Sequence, residues 1–153
     1  MAKGVPEGLH TVTPALTIDG AAEAIELYRK AFGAEEIARA ADPSGKKIWH
    51  ADIRIGDSRI FVNDSFPEMG SAPTTSKLWV YSDDVDAAFE RATGAGLGSK
   101  MPPSDAFWGD RFGIVADRWG NQWMLATRKK NLTNDEMKKA QDEAVAKWQE
   151  GKK

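Results

Sequence analysis

Apolar residues at Ala21, Ala24, Ile25, Tyr28, Ala31 and Phe32 alternate with Glu23, Glu26, Arg29 and Lys30 at the i, i+3, i+4, i+7 spacing of one helix face. The pattern predicts a helix over 21–32, with Gly33 placed as its C-terminal cap. Ahead of it, Thr11 to Ile18 has strand composition and carries Pro14, which suits an early or edge strand, and Asp19-Gly20 breaks the run. A short strand is expected over 35–41, followed by the turn Asp42-Pro43-Ser44-Gly45. From Lys47 to Ile55 the period falls to two: His50, Asp52 and Arg54 alternate with Ala51, Ile53 and Ile55, the signature of a strand with one apolar face. By that alternation Trp49 lies opposite His50 and is expected to pack. Gly56-Asp57-Ser58 turns the chain, and 59–63 returns as the second arm of a hairpin.

Between Asp64 and Ser76 the composition shifts to Ser, Pro, Gly and Thr, which reads as a connection. The elements then repeat. A strand is expected over 77–82, and Asp83-Asp84 precede a helix over 85–93 that Gly94 and Gly96 stop. The stretch 99–105, with Pro102 and Pro103, is expected to be a loop. It leads into a Trp-rich hairpin over 107–126, whose arms 111–116 and 122–126 flank the turn chemistry of Asp117-Arg118-Trp119-Gly120-Asn121. After it, Thr133-Asn134-Asp135-Glu136 forms a capping box. The box opens a polar helix with an apolar stripe at Met137, Ala140, Ala144, Val145 and Trp148, expected to pack on the domain or on a partner chain.

Sliding the chain against itself by 61 residues superposes Leu27–Ala34 on Ala88–Ala95, Ile53 on Ile114 and His50 on Arg111. Each half then reads as strand, helix and three strands. Two copies at so long a period fit a pseudo-symmetric pair better than a solenoid. The βαβββ repeat resembles the vicinal oxygen chelate superfamily, which groups glyoxalases, extradiol dioxygenases, fosfomycin-modifying enzymes and bleomycin-resistance proteins. The residues that carry the resemblance are Ala24–Ala34, Asp84-Val85-Asp86-Ala87, and Asp117–Asn121 ahead of Trp123. The run His50–Ser58 is most similar to the PhnB-like branch. The resemblance spans about residues 9–130: module one over 9–64, a linker over 65–76, module two over 77–130, and a helical tail over 131–153. It implies an α+β fold of two modules whose curved mixed sheets enclose a cavity, often completed by dimerisation.

Enzymes of that superfamily typically hold a divalent metal with His and Glu at four positions, two per module. Following the motifs places those positions at about Thr13, Phe61, Lys77 and Met124. Lysine has no free lone pair at neutral pH, and Phe and Met are poor ligands for hard cations, so no cofactor is expected from this set. His50 is the one candidate for catalysis or ligation, since only two histidines exist and the other is His10. The competing reading is a half-buried strand histidine bonded to its neighbours. The internal repeat sets Arg111 opposite His50, and the expectation is that both point into one cavity. Of six tryptophans, Trp79 and Trp123 are placed to stack a planar ligand, and Trp108 lies in the loop entering the last hairpin.

Composition narrows the class further. With no cysteine, thiol catalysis, disulfides and Cys-ligated zinc are excluded. A formal charge of −2 leaves no basic excess for nucleic acid. No apolar run reaches membrane-spanning length, and the opening residues lack the apolar core of a secretory signal, so a cytoplasmic protein is expected. The reading reached is a metal-independent small-molecule-binding protein, its ligand held in an aromatic cavity by His50, Trp79, Trp108, Arg111 and Trp123, and a homodimer. Two alternatives stay open. One is an enzyme of the same superfamily, a lyase, dioxygenase or transferase with an atypical divalent-metal site or with His50 as base. The other is a dimeric regulatory or structural protein without a ligand.

Overall fold

The structure, a computed structural model, describes residues 4–152. Module one runs β1 (Ala15–Thr17), α1 (Ala21–Phe32), β2 (Glu35–Ala41), β3 (Ile48–Ile55) and β4 (Ser58–Asn63). A connection containing one 3-10 turn at Pro67–Met69 leads to β5 (Lys77–Tyr81), α2 (Val85–Gly94), β6 (Gly98–Asp105), β7 (Asp110–Ala116) and β8 (Gln122–Arg128), and α3 (Asn134–Glu150) follows. The strands form two four-stranded mixed sheets, ordered β1-β4-β3-β2 and β5-β8-β7-β6. In each, the first strand pairs in parallel with the last and the other pairings are antiparallel, so the two sheets share one topology. The sheets do not close on one another.

Periodicity located α1 because its buried residues, Ala21, Ala24, Ile25, Tyr28 and Ala31, form one stripe. Gly33 ends it at φ 69°, where a Cβ would be strained. α1 and α2 each cover one face of their own sheet and pack against each other. A single core results: Leu16, Ile25, Ile53 and Val62 from module one join Val85, Val115, Trp123 and Leu125 from module two.

Three sequence expectations need correction. The stretch with Pro102 and Pro103 is a strand, β6, and not a loop. It pairs only with β7 and carries two register shifts, at Ser99/Met101 and Met101/Ser104, so the missing proline N–H groups interrupt no central ladder. Trp49 does not pack but is 51% exposed. The irregularity between Ala40 and Ala41 pairs Ala40 with His50 and Ala41 with Ile48, leaving Trp49 unpaired on that edge. The first strand shrinks from the expected 11–18 to three residues, and Pro14 contributes only its carbonyl, which accepts from the Phe61 N–H at 2.9 Å. The Thr133–Glu136 capping box forms as expected, yet α3 buries no residue and Trp148 is 61% exposed. No helix among the described residues is long and apolar enough to cross a membrane.

Candidate functional site

Strand alternation gives each sheet a helix-side face and an open face. In the second sheet, Leu78, Val80, Val115, Trp123 and Leu125 lie on the helix side with the core. The alternate residues Trp79, Tyr81, Phe112, Met124 and Ala126 fall on the open face, where Trp79 pairs with Met124 and Phe112 with Ala126. Trp79 and Tyr81 are 44% and 55% exposed. Trp79 and Phe112 ring centroids lie 5.2 Å apart, and Trp108 stands 5.3 Å from Phe112 and 6.4 Å from Trp79. Tyr81 stacks beside Trp79 at 6.2 Å, and Phe107 meets Trp108 edge-on at 5.1 Å. Five aromatic rings thus make a continuous platform with polarised ring edges and faces open to a ligand.

One buried carboxylate aims this platform. Asp110, 2% exposed, accepts from the Tyr81 hydroxyl at 3.0 Å and Trp108 Nε1 at 2.8 Å on one oxygen, and from Arg128 Nε at 2.6 Å on the other. Burial pushes its carboxyl up, but these hydrogen bonds, led by Arg128, outweigh burial and hold it below the usual carboxylate range. Burial, and then the bond to Asp110, raise the Tyr81 hydroxyl, so it stays protonated and keeps an oxygen lone pair for a ligand donor. Trp108 lies in a turn, and its bond to Asp110 fixes a ring that would otherwise swing.

The structure brings Trp79 and Trp108 together and leaves the other expected residues elsewhere. Trp123 is fully buried beneath the second sheet, its ring 4.9 Å from Tyr28 and 4.6 Å from Phe32. His50 and Arg111 are not brought together. His50 is exposed on the open face of the first sheet, edge-on to Phe61 at 4.6 Å, beside the Asp52–Arg59 ion pair. Arg111 lies on the helix side of the second sheet, opposite Thr127, and is bidentate to Asp86 of α2 at 3.0 Å, with Asp105 at 3.4 Å. The hydrogen bond to Asp86 raises Arg111 further above its usual range, and Arg111 in turn lowers Asp86.

The reason is parity. The 61-residue offset holds along the helices, where buried Ala24 and Ala31 match buried Val85 and Ala92. In the hairpins it matches Ile53, on a helix side, to Ile114, which pairs with Met124 on an open face. α2 runs through Gly94, and a slip of one residue moves every strand side chain to the other face. Tyr81, Phe112, Asp110 and Arg128 were missed as site residues. Period-two alternation from Trp79 and from Ala126 would have found two of them, Tyr81 and Arg128.

A divalent metal, which the superfamily resemblance implies, can be tested against its expected positions. Phe61 and Met124 lie on the open faces of β4 and β8, with Lys77 opening β5 and Thr13 ahead of β1. Phenyl, thioether and ammonium groups do not fit a hard divalent cation, and one threonine hydroxyl alone makes no coordination set. Asp64, beside the first of these strands, spends its oxygens on the N–H groups of Gly20, Ala21 and Ile48. Among the described residues no three His, Cys, Asp or Glu side chains group to hold a metal ion.

Comparison with known proteins places this geometry. The model of the Glyoxalase/Bleomycin resistance protein/Dioxygenase superfamily matches residues 8–125. The chain belongs to that superfamily. An uncharacterized protein of Mycobacterium tuberculosis is 39% identical over 140 residues, covering 84% of this chain and 81% of that protein. The crystal structure of TnmS3, an antibiotic binding protein from Streptomyces sp. CB03234, is similar with a TM-score of 0.61 at 21% identity, covering 83% of this chain and 99% of that one. The PhnB protein from Bacillus cereus shares the fold with a TM-score of 0.57 at 15% identity, covering 77% of this chain and 99% of that one.

Proposed function

We propose that this superfamily member binds a planar aromatic small molecule, without a metal, on the open face of its second sheet. The observation that carries the reading is the Trp79–Trp108–Phe112 platform locked by Asp110. Burying so much exposed aromatic area against a ligand ring supplies affinity, and the Tyr81 oxygen supplies direction. The description of TnmS3 as an antibiotic binding protein supports a drug-like ligand class. A second copy of the chain would close the site, bringing the open face of its first sheet, with His50 and Phe61, over the platform. A two-fold axis relating two such contacts makes two equal sites. Trp123 stiffens the sheet from beneath, and Arg111 holds α2 to β7.

Titration of the protein with acridine, read by tryptophan quenching, tests the reading. Saturable binding of one acridine per chain, weakened about tenfold in Trp108→Ala, is expected. A response that is flat, or equal in the two proteins, contradicts it. Sedimentation velocity should give a dimer, and a monomer at all concentrations removes the proposed closure.

A further inference from the structure

A second cavity lies between the two modules, walled on one side by β5, whose Trp79 and Tyr81 also belong to the aromatic platform. We propose that this cleft takes an amphipathic anion, with a carboxylate or phosphate head at its mouth and an aliphatic tail along its floor. The cavity measures about 750 Å³, the size of a drug-like or fatty ligand. Its floor comes from both modules: Phe32 of α1, Leu78 and Val80 of β5 and Ala88 of α2, all partly buried, over the fully buried Trp123. These side chains offer a tail no hydrogen-bond partner.

Two guanidinium groups bound the cleft. Arg59 binds Asp52 through Nε at 2.7 Å and through Nη2, leaving Nη1 against Gly8. Arg91 makes no ion pair among the described residues. It donates Nε to the Lys30 carbonyl at 2.8 Å and Nη2 to the Arg29 carbonyl at 3.5 Å, and its Nη1 rests against Gly33. Gly8, Gly33 and Arg59 line one adjoining opening with Asp57 and the Glu35–Arg54 ion pair, and Arg91 Nη1 approaches it from the cleft through its contact with Gly33. Among the described residues neither Nη1 has a hydrogen-bond partner, so each offers N–H donors to an anion. Asp57 is the one carboxylate on the cleft wall, and Ser58 Oγ donates to it at 3.0 Å; His10 and Ser82 complete the polar rim.

The carbonyl contacts of Arg91 also fasten the C-terminal end of α1, which explains its position but leaves its charge unmatched. Charge above an apolar floor selects an amphipathic anion over a neutral lipid or a cation. The cleft shares Trp79 and Tyr81 with the platform but not Trp108, Asp110 or Phe112, so substitutions at Trp108 and at Arg91 test the two readings separately.

Calorimetric titration with dodecanoate, dodecyl phosphate and dodecanol below their micellar concentrations tests the assignment. Both anions should bind one per chain and at least about tenfold more tightly than the alcohol. The stronger of the two identifies the head group. Arg91→Gln should remove most of that preference while leaving dodecanol binding as it was. Ala87→Trp, at an exposed cleft position that tolerates bulk, should block the tail and weaken all three, with an unchanged circular dichroism spectrum confirming the fold. Trp108→Ala should bind dodecanoate like the parent protein. Equal affinity for anion and alcohol, indifference to both cleft substitutions, or loss of dodecanoate binding in Trp108→Ala would overturn the proposal.

Discussion

Module two holds two buried aspartates that face different tasks. Asp117 accepts from Tyr28 Oη at 2.6 Å, Trp123 Nε1 at 3.2 Å, the Asn121 side chain, and the backbone N–H groups of Trp119 and Asn121. None of these donors is a cation, and the tyrosine comes from the other module, so Asp117 fastens the modules together. Asp110 also binds two aromatic donors, but it adds the half-exposed Arg128 and sits at the rim of an open platform. One carboxylate is enclosed by what it joins, while the other aims groups that still have a free side. A buried acid is therefore informative through its donors: neutral donors drawn from the core mark a fastening, and aromatic donors left exposed mark a site.

The comparison can be broken most sharply at Asp117. Asp117→Ala strands the Tyr28, Trp123 and Asn121 donors in the core and is expected to cost about 3–5 kcal/mol in urea unfolding. Asp110→Asn keeps one acceptor and is expected to cost only about 1 kcal/mol, the exposed arginine contributing little, yet to weaken acridine binding about tenfold by freeing Trp108. If the two substitutions prove equally destabilising, with acridine affinity untouched in Asp110→Asn, the distinction fails.

Dependence on pH separates the two clusters at opposite ends of the scale, through Tyr28 in one and Asp110 in the other. Burial first, and then the bond to Asp117, raise the Tyr28 hydroxyl far above its ordinary value near 10. The stability it confers is complete below about pH 10 and is lost as pH rises further, because the unfolded tyrosine ionises while the folded one does not. Thermal melts between pH 9 and about 11 should therefore fall less steeply for Tyr28→Phe. Asp110 has the reverse sign. Its carboxyl is held low in the fold, so its contribution is present above the ordinary carboxylate value near 4 and is lost on acidification below it. Asp110→Asn should flatten that acid limb. The smallest effect is expected for Arg111→Ala, which loses a solvent-screened ion pair with the exposed Asp86 and leaves acridine binding unchanged.

Local rules read most of the fold. The 3.6-residue stripe found α1, and the Gly-Asn turn and capping box marked the last hairpin and α3. What they missed depends on neighbours. β6 is a strand despite Pro102 and Pro103 because it lies at an edge, and Trp49 is exposed as the unpaired residue of a bulge on β3. The candidate site was legible in part: Trp79 and Trp108 meet, as aromatic content suggested. Pairing Arg111 with His50 rested on an internal offset that is right along the helices and one residue out in the hairpins, where one residue decides the face. Asp110 stood out weakly, since only Trp108 is a near neighbour in sequence while Tyr81 and Arg128 lie 29 and 18 residues away and the assembled sheet collects them.

Metal-free binding to the aromatic platform is the central claim, and one titration addresses it. Protein dialysed exhaustively against EDTA is titrated with acridine, and the titration is repeated after adding stoichiometric zinc, nickel or manganese. The account predicts the same saturable quenching in every case, lost in Trp79→Ala and Trp108→Ala together. Binding that appears only after a metal is restored, or that survives the double substitution, contradicts it.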